Sequence, residues 1–523
     1  MQKRFVVLFV LLITLKQFLW MVYMPLWHFP DEQAHFGQVQ NIAEGLGSIF
    51  PSTFNTSREI AETEGFLGTF RDWGGNNLFT YHPEFNITYS QSKTGVYENL
   101  IRSFPKPWRT EMVIKEATVY PPLYYSLSAV FYSVFETQSI FERVMGVRIL
   151  NLVFFLCTVY GAYLIAKLLF PKLIVLQMAL VLLVSFHPMF SFLSAGINSY
   201  NIFNMTFTYM LYLCLLVLEK GLKPRYLLLM LLLLFLNIAG KSQGKLTPFI
   251  YLYPLVVSFI KYRDTRTLIL LTGVVSFFVG IGAFLKSIFA GQQFLPDVAR
   301  ISGLTAAPEL TLFGHVKNSI RQTMTQTVPW YFGVYRWLSM VSPPLVIKIT
   351  NRVLIGAVLG LFVHIVMRMR ARKTSHELVQ IGFLAYASIV YYAGIIFYDY
   401  LFIKTHNFSL GIQGRYFFPT IVFHMALLLI GITSWIPVVR VRNLVAHVLG
   451  FGMVALHTFI FFWVHASYFD TSSFGIFFRQ ASQNKALWAK SPFLELYIGV
   501  FCILCVITLG VYINNQFHAQ KKT

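Results

Sequence analysis

Long apolar runs are the feature that most constrains how this chain can fold. The first extends from Phe5 to about Tyr23. The others lie near residues 146–169, 174–193, 200–219, 225–240, 246–261, 266–289, 345–367, 376–398, 416–436, 443–466 and 493–513. A helix of roughly 20 apolar residues is long enough to cross a bilayer. The pattern therefore predicts an all-α polytopic membrane protein with about 12 transmembrane helices, forming a single integral membrane domain over residues 1–523.

The composition excludes the common soluble classes. Apolar residues make up 56% of the chain and charged residues only 12%, with a mean hydropathy of +0.61. A soluble protein carries about 25% charged residues. The apolar runs are continuous rather than alternating, which argues against an outer-membrane β-barrel. The pI of about 9.7 does not indicate a nucleic-acid partner, because Lys and Arg of membrane proteins collect in cytoplasmic loops.

Charge predicts the orientation of the chain in the membrane. Basic clusters such as Lys220–Arg225, Arg368–Lys373 and Lys521-Lys522 fall in alternate connections, as the positive-inside rule requires. The long polar segment 26–145 contains 13 acidic and 8 basic residues, although the whole chain has a formal net charge of +21. We therefore expect a plasma-membrane or inner-membrane protein with both termini cytoplasmic. Segment 26–145, with its amphipathic helices, and a second long loop at 290–344 would be extracytoplasmic.

The densest polar cluster is Pro30-Asp31-Glu32-Gln33-Ala34-His35, directly after the first apolar run. A helix that begins at Pro30 places Asp31 and His35 one turn apart on the same face. Asp31 could then accept a proton from an incoming hydroxyl group, with Glu32 beside it. Asp31, Glu32 and His35 could also hold Mg²⁺ or Mn²⁺. A capped helix at the membrane surface, with both acids solvated, is the alternative that the spacing leaves open.

The sequence Tyr120-Pro121-Pro122-Leu123-Tyr124-Tyr125 lies near the other end of the same loop. The two prolines end any preceding helix and allow a new one to begin at Leu123. Tyrosine is amphipathic and suits the membrane surface. We assign Tyr120 and Tyr124 to substrate binding, with an aromatic turn at the interface as the alternative.

Apart from those of the first loop, four basic residues at or near span ends stand on the predicted outer side, against the positive-inside bias. They are Arg148 at the start of the second span, Lys241 and Lys245 between the fifth and sixth spans, and Arg415 at the start of the tenth. A guanidinium group can bind a phosphate through two parallel hydrogen bonds. These residues are candidates for holding a lipid-linked phosphate. For Arg415, a simple topology anchor is the alternative.

Features that the sequence lacks argue against some classes of membrane protein. The acids outside the first loop fall at predicted helix ends or in loops, whereas a proton- or sodium-coupled transporter usually has one within a span. The predicted cytoplasmic loops are too short for a nucleotide-sugar domain, so an activated donor would be lipid-linked. Lys16 lies deep in the first span and either reaches toward the interface or faces the bundle interior. We interpret His424 and His457 as packed core residues.

Together these motifs resemble the GT-C superfamily of integral membrane glycosyltransferases, and more narrowly a bacterial, formerly uncharacterised membrane-protein family within it. The resemblance rests on Pro30-Asp31-Glu32 with His35, the acidic first loop, the Tyr120–Tyr125 motif, and Gln413-Gly414-Arg415-Tyr416 with Pro419. It extends over nearly the whole chain. Members often carry an acid after the third span, where this chain has Asn198-Ser199-Tyr200-Asn201. We therefore carry no catalytic role onto that loop.

The resemblance implies transfer of a sugar from a polyprenyl-phosphate donor to a cell-envelope glycan or lipid on the outer face of the membrane. Asp31 would activate the acceptor in a single, inverting displacement, and Arg415 with Lys241 and Lys245 would hold the carrier phosphate. His35, Tyr120, Tyr124 and Arg148 would contact the substrates. The rival functions are a transporter or flippase of lipid-linked saccharides and a polysaccharide polymerase or ligase. The former predicts opposing half-bundles, which the sequence does not display.

Overall fold

The structure is a computed structural model, and the statements below refer to the residues that it describes. These residues are 3–45, 54–72, 75–87, 91–116, 121–262, 272–273, 311–370, 376–406, 408–409, 411–434, 436–469, 471 and 473–520. The predicted seventh span, 266–289, and Tyr120 lie outside them, apart from residues 272–273.

Helices dominate the described chain. In chain order they are α1 (Lys3–Tyr23), α2 (Glu32–Ala43), α3 (Arg58–Leu67), α4 (Gln91–Arg102), α5 (Leu123–Val134), α6 (Ile140–Leu169), α7 (Ile174–Ser185), α8 (Pro188–Ala195), α9 (Tyr200–Lys220), α10 (Pro224–Gly240), α11 (Thr247–Tyr262), α12 (Leu312–Gln322), α13 (Val328–Phe332), α14 (Pro344–Arg370), α15 (His376–His406), α16 (Ile421–Ser434), α17 (Val439–Tyr468), α18 (Phe474–Ala481) and α19 (Phe493–Gln520). The strands are β1 (Phe54–Ser57), β2 (Met112–Glu116), β3 (Val334–Tyr335) and β4 (Met340–Val341). Short 3-10 turns occupy Lys106–Arg109, Ser242–Leu246, Gly414–Thr420 and Leu487–Ala489.

The predicted class, an all-α polytopic membrane protein, is confirmed. Among the described residues, eight helical segments are long and apolar enough to cross a membrane, and α7 with α8 forms a ninth that is bent by 54°. The predicted fifth and sixth spans correspond to the shorter helices α10 and α11. The total of twelve spans stays a prediction.

The third predicted span is not one continuous helix. The chain breaks between α7 and α8, where Nδ1 of His187 accepts a hydrogen bond from the backbone N–H of Phe190 and Pro188 opens the new helix. Proline is favoured in the first turn because its missing N–H has no partner there in any helix. The bend leads α8 into the loop Gly196–Ser199, which lies beneath the candidate site described below.

Segment 26–139 is hereafter called loop 1, and its described residues form helices and strands around an apolar core. Strands β1 and β2 pair antiparallel, and Ser57 caps α3 by accepting a hydrogen bond from the backbone N–H of Ile60. The core of loop 1 includes Trp27, Phe36 and Tyr125 and continues onto the adjoining part of α6. We call the end of the bundle that carries this segment the loop-1 side.

Two buried cations hold the carbonyl end of α1 on the loop-1 side. Arg148 donates to the carbonyl oxygens of Met21 at 2.9 Å and Met24 at 3.3 Å, and Nζ of Lys485 donates to the carbonyl of Tyr23 at 2.8 Å. The last carbonyls of a helix lack helical partners and carry its negative dipole end, so cations stabilise them. These contacts fix the start of the segment that connects α1 to α2.

Lys16 faces the interior of the bundle. Its Nζ donates to the carbonyl of Ser185 at 2.7 Å and to Oγ of Ser191 at 2.8 Å, and it lies 4.3 Å from the ring centre of Phe155. The ammonium group is therefore satisfied by the break between α7 and α8 and does not reach toward the interface. His424 and His457 are likewise packed, against Tyr331 and Trp20 respectively.

Candidate active site

Asp31 precedes α2 and acts as its N-cap residue. Its backbone is left-handed, with φ 57°, and its carbonyl accepts a hydrogen bond from the N–H of His35 at 3.1 Å. Asp is among the few residues other than Gly that tolerate this conformation. Asp31 thus stands one residue outside the helix, while His35 lies one turn along, in α2.

The carboxylate of Asp31 meets a guanidinium group from the far end of the sequence. Nη2 of Arg415 donates to Oδ2 of Asp31 at 3.2 Å, across 384 residues. Arg415 belongs to the 3-10 turn Gly414–Thr420, which leads into α16. The Asp31 side chain is 43% exposed and that of Arg415 is 16% exposed. Both side chains keep some exposed surface, so solvent reaches the pair, and we call the pair together with its immediate neighbours the recess.

The charge of Asp31 is set by its neighbours. Burial raises the pKa of the carboxyl group. The Arg415 guanidinium, His35 and Arg71 together lower it by more, so the pKa falls below its ordinary value. Asp31 is therefore ionised at neutral pH.

A second cation and two aromatic rings complete this side of the recess. Nζ of Lys241 donates to Oγ of Ser199 at 2.9 Å and lies 4.2 Å from the ring centre of Tyr200. Tyr200 stacks on Tyr416 with ring centres 6.0 Å apart, and the Arg415 guanidinium lies 5.6 Å from the Tyr416 ring. Burial, and to a smaller extent the charge of Arg415, lower the pKa of Lys241 to about 7, while Asp31 opposes the shift.

His35 is buried beside Asp31 in an uncharged state. Its Nδ1 lies 2.7 Å from the hydroxyl of Tyr125, and the two rings stack. Burial lowers the pKa of His35 to about 3, and Lys241 contributes to the shift. At neutral pH the imidazole therefore acts as a neutral hydrogen-bonding group and not as a cation.

Glu32 has a different environment from its neighbour Asp31. Both of its carboxylate oxygens accept hydrogen bonds from Arg148, at 2.8 and 2.6 Å, and Oε1 also accepts from the N–H of Ile197 at 3.3 Å. The side chains of Glu32 and Arg148 are at most 2% exposed. This pair joins α2, α6 and the loop after α8 beneath the recess.

The remaining predicted site residues are more dispersed. Tyr124 is buried and donates to Asn151, whose amide nitrogen donates in turn to the carbonyl of Gly196. Tyr124 thus belongs to the support beneath Asp31. Lys245 is exposed in the turn after Lys241.

The described residues do not assemble a set of metal ligands. Nowhere in these ranges do three His, Cys, Asp or Glu side chains converge as they would around an ion. Glu32 directs its carboxylate at Arg148, and His35 directs Nδ1 at Tyr125. We therefore derive no step through Mg²⁺ or Mn²⁺.

Two residues of the recess escaped the sequence-based prediction. Arg71, in loop 1, lies close enough to lower the pKa of both Asp31 and His35, and its Nε lies 3.3 Å from Oε1 of Glu64. A single arginine in a long polar loop gives no pattern that predicts this. Tyr200 carried a weak signal in the sequence, because it lies in the polar segment Asn198–Asn201.

A family model described as a predicted membrane protein (DUF2142) matches residues 15–424. A comparison with curated proteins finds no match. Among solved structures, the chain is similar to ArnT from Cupriavidus metallidurans in the apo state, with a TM-score of 0.43 and 14% identity over 97% of this chain and 75% of that chain.

The chain is also similar to an oligosaccharyltransferase from Archaeoglobus fulgidus. For the complex with Zn and sulfate, the TM-score is 0.40 and the identity 11%, and for the apo form they are 0.40 and 12%. Both matches cover 88% of this chain but only 53% and 55% of that chain.

Proposed function

The chain belongs to the DUF2142 family of predicted membrane proteins, and from that premise we propose that it is a GT-C-type membrane glycosyltransferase. It transfers a sugar from a polyprenyl-phosphate donor to a glycan or lipid acceptor of the cell envelope, on the outer face of the membrane. One observation carries this proposal, namely the 3.2 Å contact between Asp31 and Arg415 in a recess at the loop-1 side. A carboxylate can take the acceptor proton, and a guanidinium group can take the phosphate.

The surroundings of this pair suit a lipid-linked phosphate. Arg415 and Lys241 flank the stacked rings of Tyr200 and Tyr416. The two cations can neutralise the phosphate, while the tyrosine rings offer an apolar surface to a sugar or to the first isoprenoid units. Arg415 stands in the first turn of the apolar segment Gly414–Ser434, and lipid phosphates lie at the ends of membrane-spanning segments.

The chemistry is a single displacement. Asp31 removes the proton of the acceptor hydroxyl group as the acceptor oxygen attacks the anomeric carbon from the side opposite the phosphate. The bond between that carbon and the phosphate oxygen breaks, and the carrier phosphate leaves with the electron pair. The anomeric configuration inverts, and Arg415 and Lys241 stabilise the charge that develops on the leaving group.

In this proposal, the same contact makes the basicity of Asp31 depend on whether the donor is bound. In the ion pair, Arg415 holds the pKa of Asp31 below its ordinary value, which makes the carboxylate a weak base. A bound donor phosphate competes for the guanidinium group. Asp31 then loses its nearest cation, its pKa rises, and it becomes a better proton acceptor in the ternary complex.

Glu32 and Arg148 act as positioning residues in this proposal. Their mutual bonds leave both groups buried, with Arg148 also tied to the end of α1. They hold the Asp31 segment against the loop after α8. His35 and Tyr125 form the neutral wall of the recess.

The proposal is tested by transfer of a radiolabelled sugar from polyprenyl-phosphate donors in membranes of cells that make the native acceptor. We expect Asp31→Asn to lower the rate by about 10²–10⁴-fold, the usual contribution of a general base, without loss of donor binding. We expect Arg415→Lys to weaken donor binding, because an ammonium group cannot bind the phosphate in a bidentate manner as a guanidinium group can. Glu62→Gln is the matched control, since Glu62 is a loop-1 carboxylate that is 44% exposed and pairs with Arg58.

Two outcomes would contradict the proposal. Transfer by Asp31→Asn at the wild-type rate removes Asp31 from the mechanism. Absence of transfer by the wild-type protein with every donor sugar, together with movement of lipid-linked saccharide across the bilayer, identifies a flippase instead.

A further inference from the structure

Residues 311–341 comprise, in order, α12, a π-helical turn at Thr323–Thr327, the short helix α13 and the hairpin β3–β4. We call this segment the arm. The sequence placed it in an extracytoplasmic loop. Its contacts with the spans show which parts of the bundle it packs against.

The arm descends beside a span and returns. At its start, His315 lies 3.5 Å from Asp399 of α15, and farther along Thr323 lies 2.6 Å from the hydroxyl of Tyr392. Those two partners are seven residues apart on α15, which corresponds to about 10 Å along a helix. Since the C-terminal end of α15 is at the loop-1 side, α12 moves about 10 Å deeper between these contacts.

Beyond the π-helical turn, α13 packs within the bundle and the chain then turns back. The hydroxyl of Tyr331 lies 3.1 Å from Nδ1 of His424, inside the span that contains α16. A few residues later, Arg336 donates to the carbonyls of Pro83 in loop 1 and Ser467 at the end of α17. The arm thus enters from the loop-1 side and leaves on the same side.

Part of the exposed surface of α12 is apolar, although its buried positions are polar. Its buried face is polar and carries His315 and Ser319, whereas large apolar side chains point outward. The exposed apolar residues are Leu312 (44% exposed), Phe313 (81%) and Ile320 (48%), followed by Met324 (69%) in the π-helical turn. Phe313, Ile320 and Met324 follow a helical period, so they form one stripe.

We propose that the arm is a re-entrant element whose apolar stripe contacts the acyl chains of the membrane leaflet on the loop-1 side. The occupant of this surface is lipid because the stripe continues the lipid-facing surface of α15, where Phe397, Tyr398 and Leu401 are each about half exposed. An exposed stripe of this size is unfavourable in water. Lys317 lies on the same face, between Phe313 and Ile320, and Arg321 stands beside it; both are exposed, and their long side chains can reach lipid phosphates.

Thiol accessibility in the full-length protein tests the proposal. Single cysteines replace Phe313 and Met324 on the stripe. As controls they replace Asn318 and Thr325, which are exposed polar residues of the same segment. Each variant is reconstituted into phospholipid vesicles at less than one copy per vesicle on average. A charged, membrane-impermeant maleimide is supplied on both sides by freezing and thawing, and wild-type protein gives the background from the native cysteines.

We expect Phe313→Cys and Met324→Cys to react at least about tenfold more slowly than Asn318→Cys and Thr325→Cys, because the thiolate that reacts is disfavoured in lipid. In SDS all four variants should react alike, which confirms that each thiol is intact. Equal rates in vesicles would overturn the proposal, since the stripe would then face water.

The two other occupants would also be recognised. Protection that appears only when many copies share a vesicle indicates a second copy of the chain on the stripe. Protection in native membranes that is lost in vesicles of the purified protein indicates a protein partner. Either result overturns the assignment to lipid. The test does not depend on whether the protein transfers sugars.

Discussion

At the residue scale, Asp31 and Glu32 are adjacent carboxylates whose different surroundings give them different roles. Asp31 remains accessible and meets Arg415, while Glu32 is fully buried against Arg148. The sequence indicated both as candidates because two neighbouring acids beside apolar residues need partners. It favoured Asp31, which shares a helix face with His35, but it could not predict the partners of the two acids, because these come from α6 and from the turn before α16.

Substituting Glu32 should mainly affect stability. Glu32→Gln leaves the buried Arg148 without its counter-charge, and breaking a buried ion pair typically costs about 3–5 kcal/mol of unfolding free energy. Thermal unfolding in detergent should show a clear fall in Tm, whereas Asp31→Asn should change Tm little. The double variant Glu32→Gln/Arg148→Met should recover part of the loss. An unchanged Tm for Glu32→Gln would contradict the positioning role.

The lowered pKa of Lys241 predicts that donor binding depends on pH. Its pKa of about 7 means that the ammonium form is populated at lower pH and lost as the pH rises. If Lys241 holds the donor phosphate, the KM for the donor should rise between about pH 7 and pH 9. In Lys241→Arg the side chain stays charged over this range, so the rise should flatten. An equal rise in both proteins would exclude Lys241 as its cause.

At the element scale, close approach of backbones positions Arg415. A Cβ atom on Gly414 would lie 2.3 Å from the backbone nitrogen of Tyr331, and Oγ1 of Thr327 donates to the carbonyl of Ile412. The arm therefore packs directly against the turn that carries Arg415. The Gly414-Arg415 motif was visible in the sequence, but the element that supports it was not.

A second glycine sets the packing of two spans. A Cβ atom on Gly431 of α16 would lie 2.1 Å from the carbonyl oxygen of Ala357 of α14, and small residues allow such close contact in membranes. Gly431→Ala should lower the unfolding free energy by about 1–3 kcal/mol, as overpacking usually does. Gly452→Ala in α17 is the control, because nothing lies within 4 Å of its Cβ position. Equal Tm values for the two variants in detergent would contradict this packing.

At the scale of the whole molecule, Arg336 joins three parts of the chain that are far apart in sequence. It is 2% exposed and donates to the carbonyls of Pro83, Phe85 and Ser467. These bonds tie the arm to loop 1 and to the end of α17. A buried cation that satisfies several carbonyls is costly to remove, because the acceptors are left unpaired.

Removing this tie should loosen loop 1. Arg336→Ala should lower stability by about 1–3 kcal/mol and should increase proteolysis within loop 1, measured by limited digestion of reconstituted protein. Arg321→Ala, at an exposed position on the same arm, should leave the digestion pattern unchanged. Identical digestion of Arg336→Ala and wild type would show that loop 1 is held by other contacts.

The sequence alone determined the class of the molecule and much of its element order. The bilayer requires about 20 apolar residues for each helical span, so the spans can be recognised locally, and prolines before Leu123 correctly predicted where α5 begins. The break at His187 and the path of the arm needed the tertiary structure. So did the pairing of Asp31 with Arg415 and the burial of Lys16 and Glu32. These features depend on contacts between residues far apart in the chain, and no local period or charge pattern records which distant group will neutralise a buried charge.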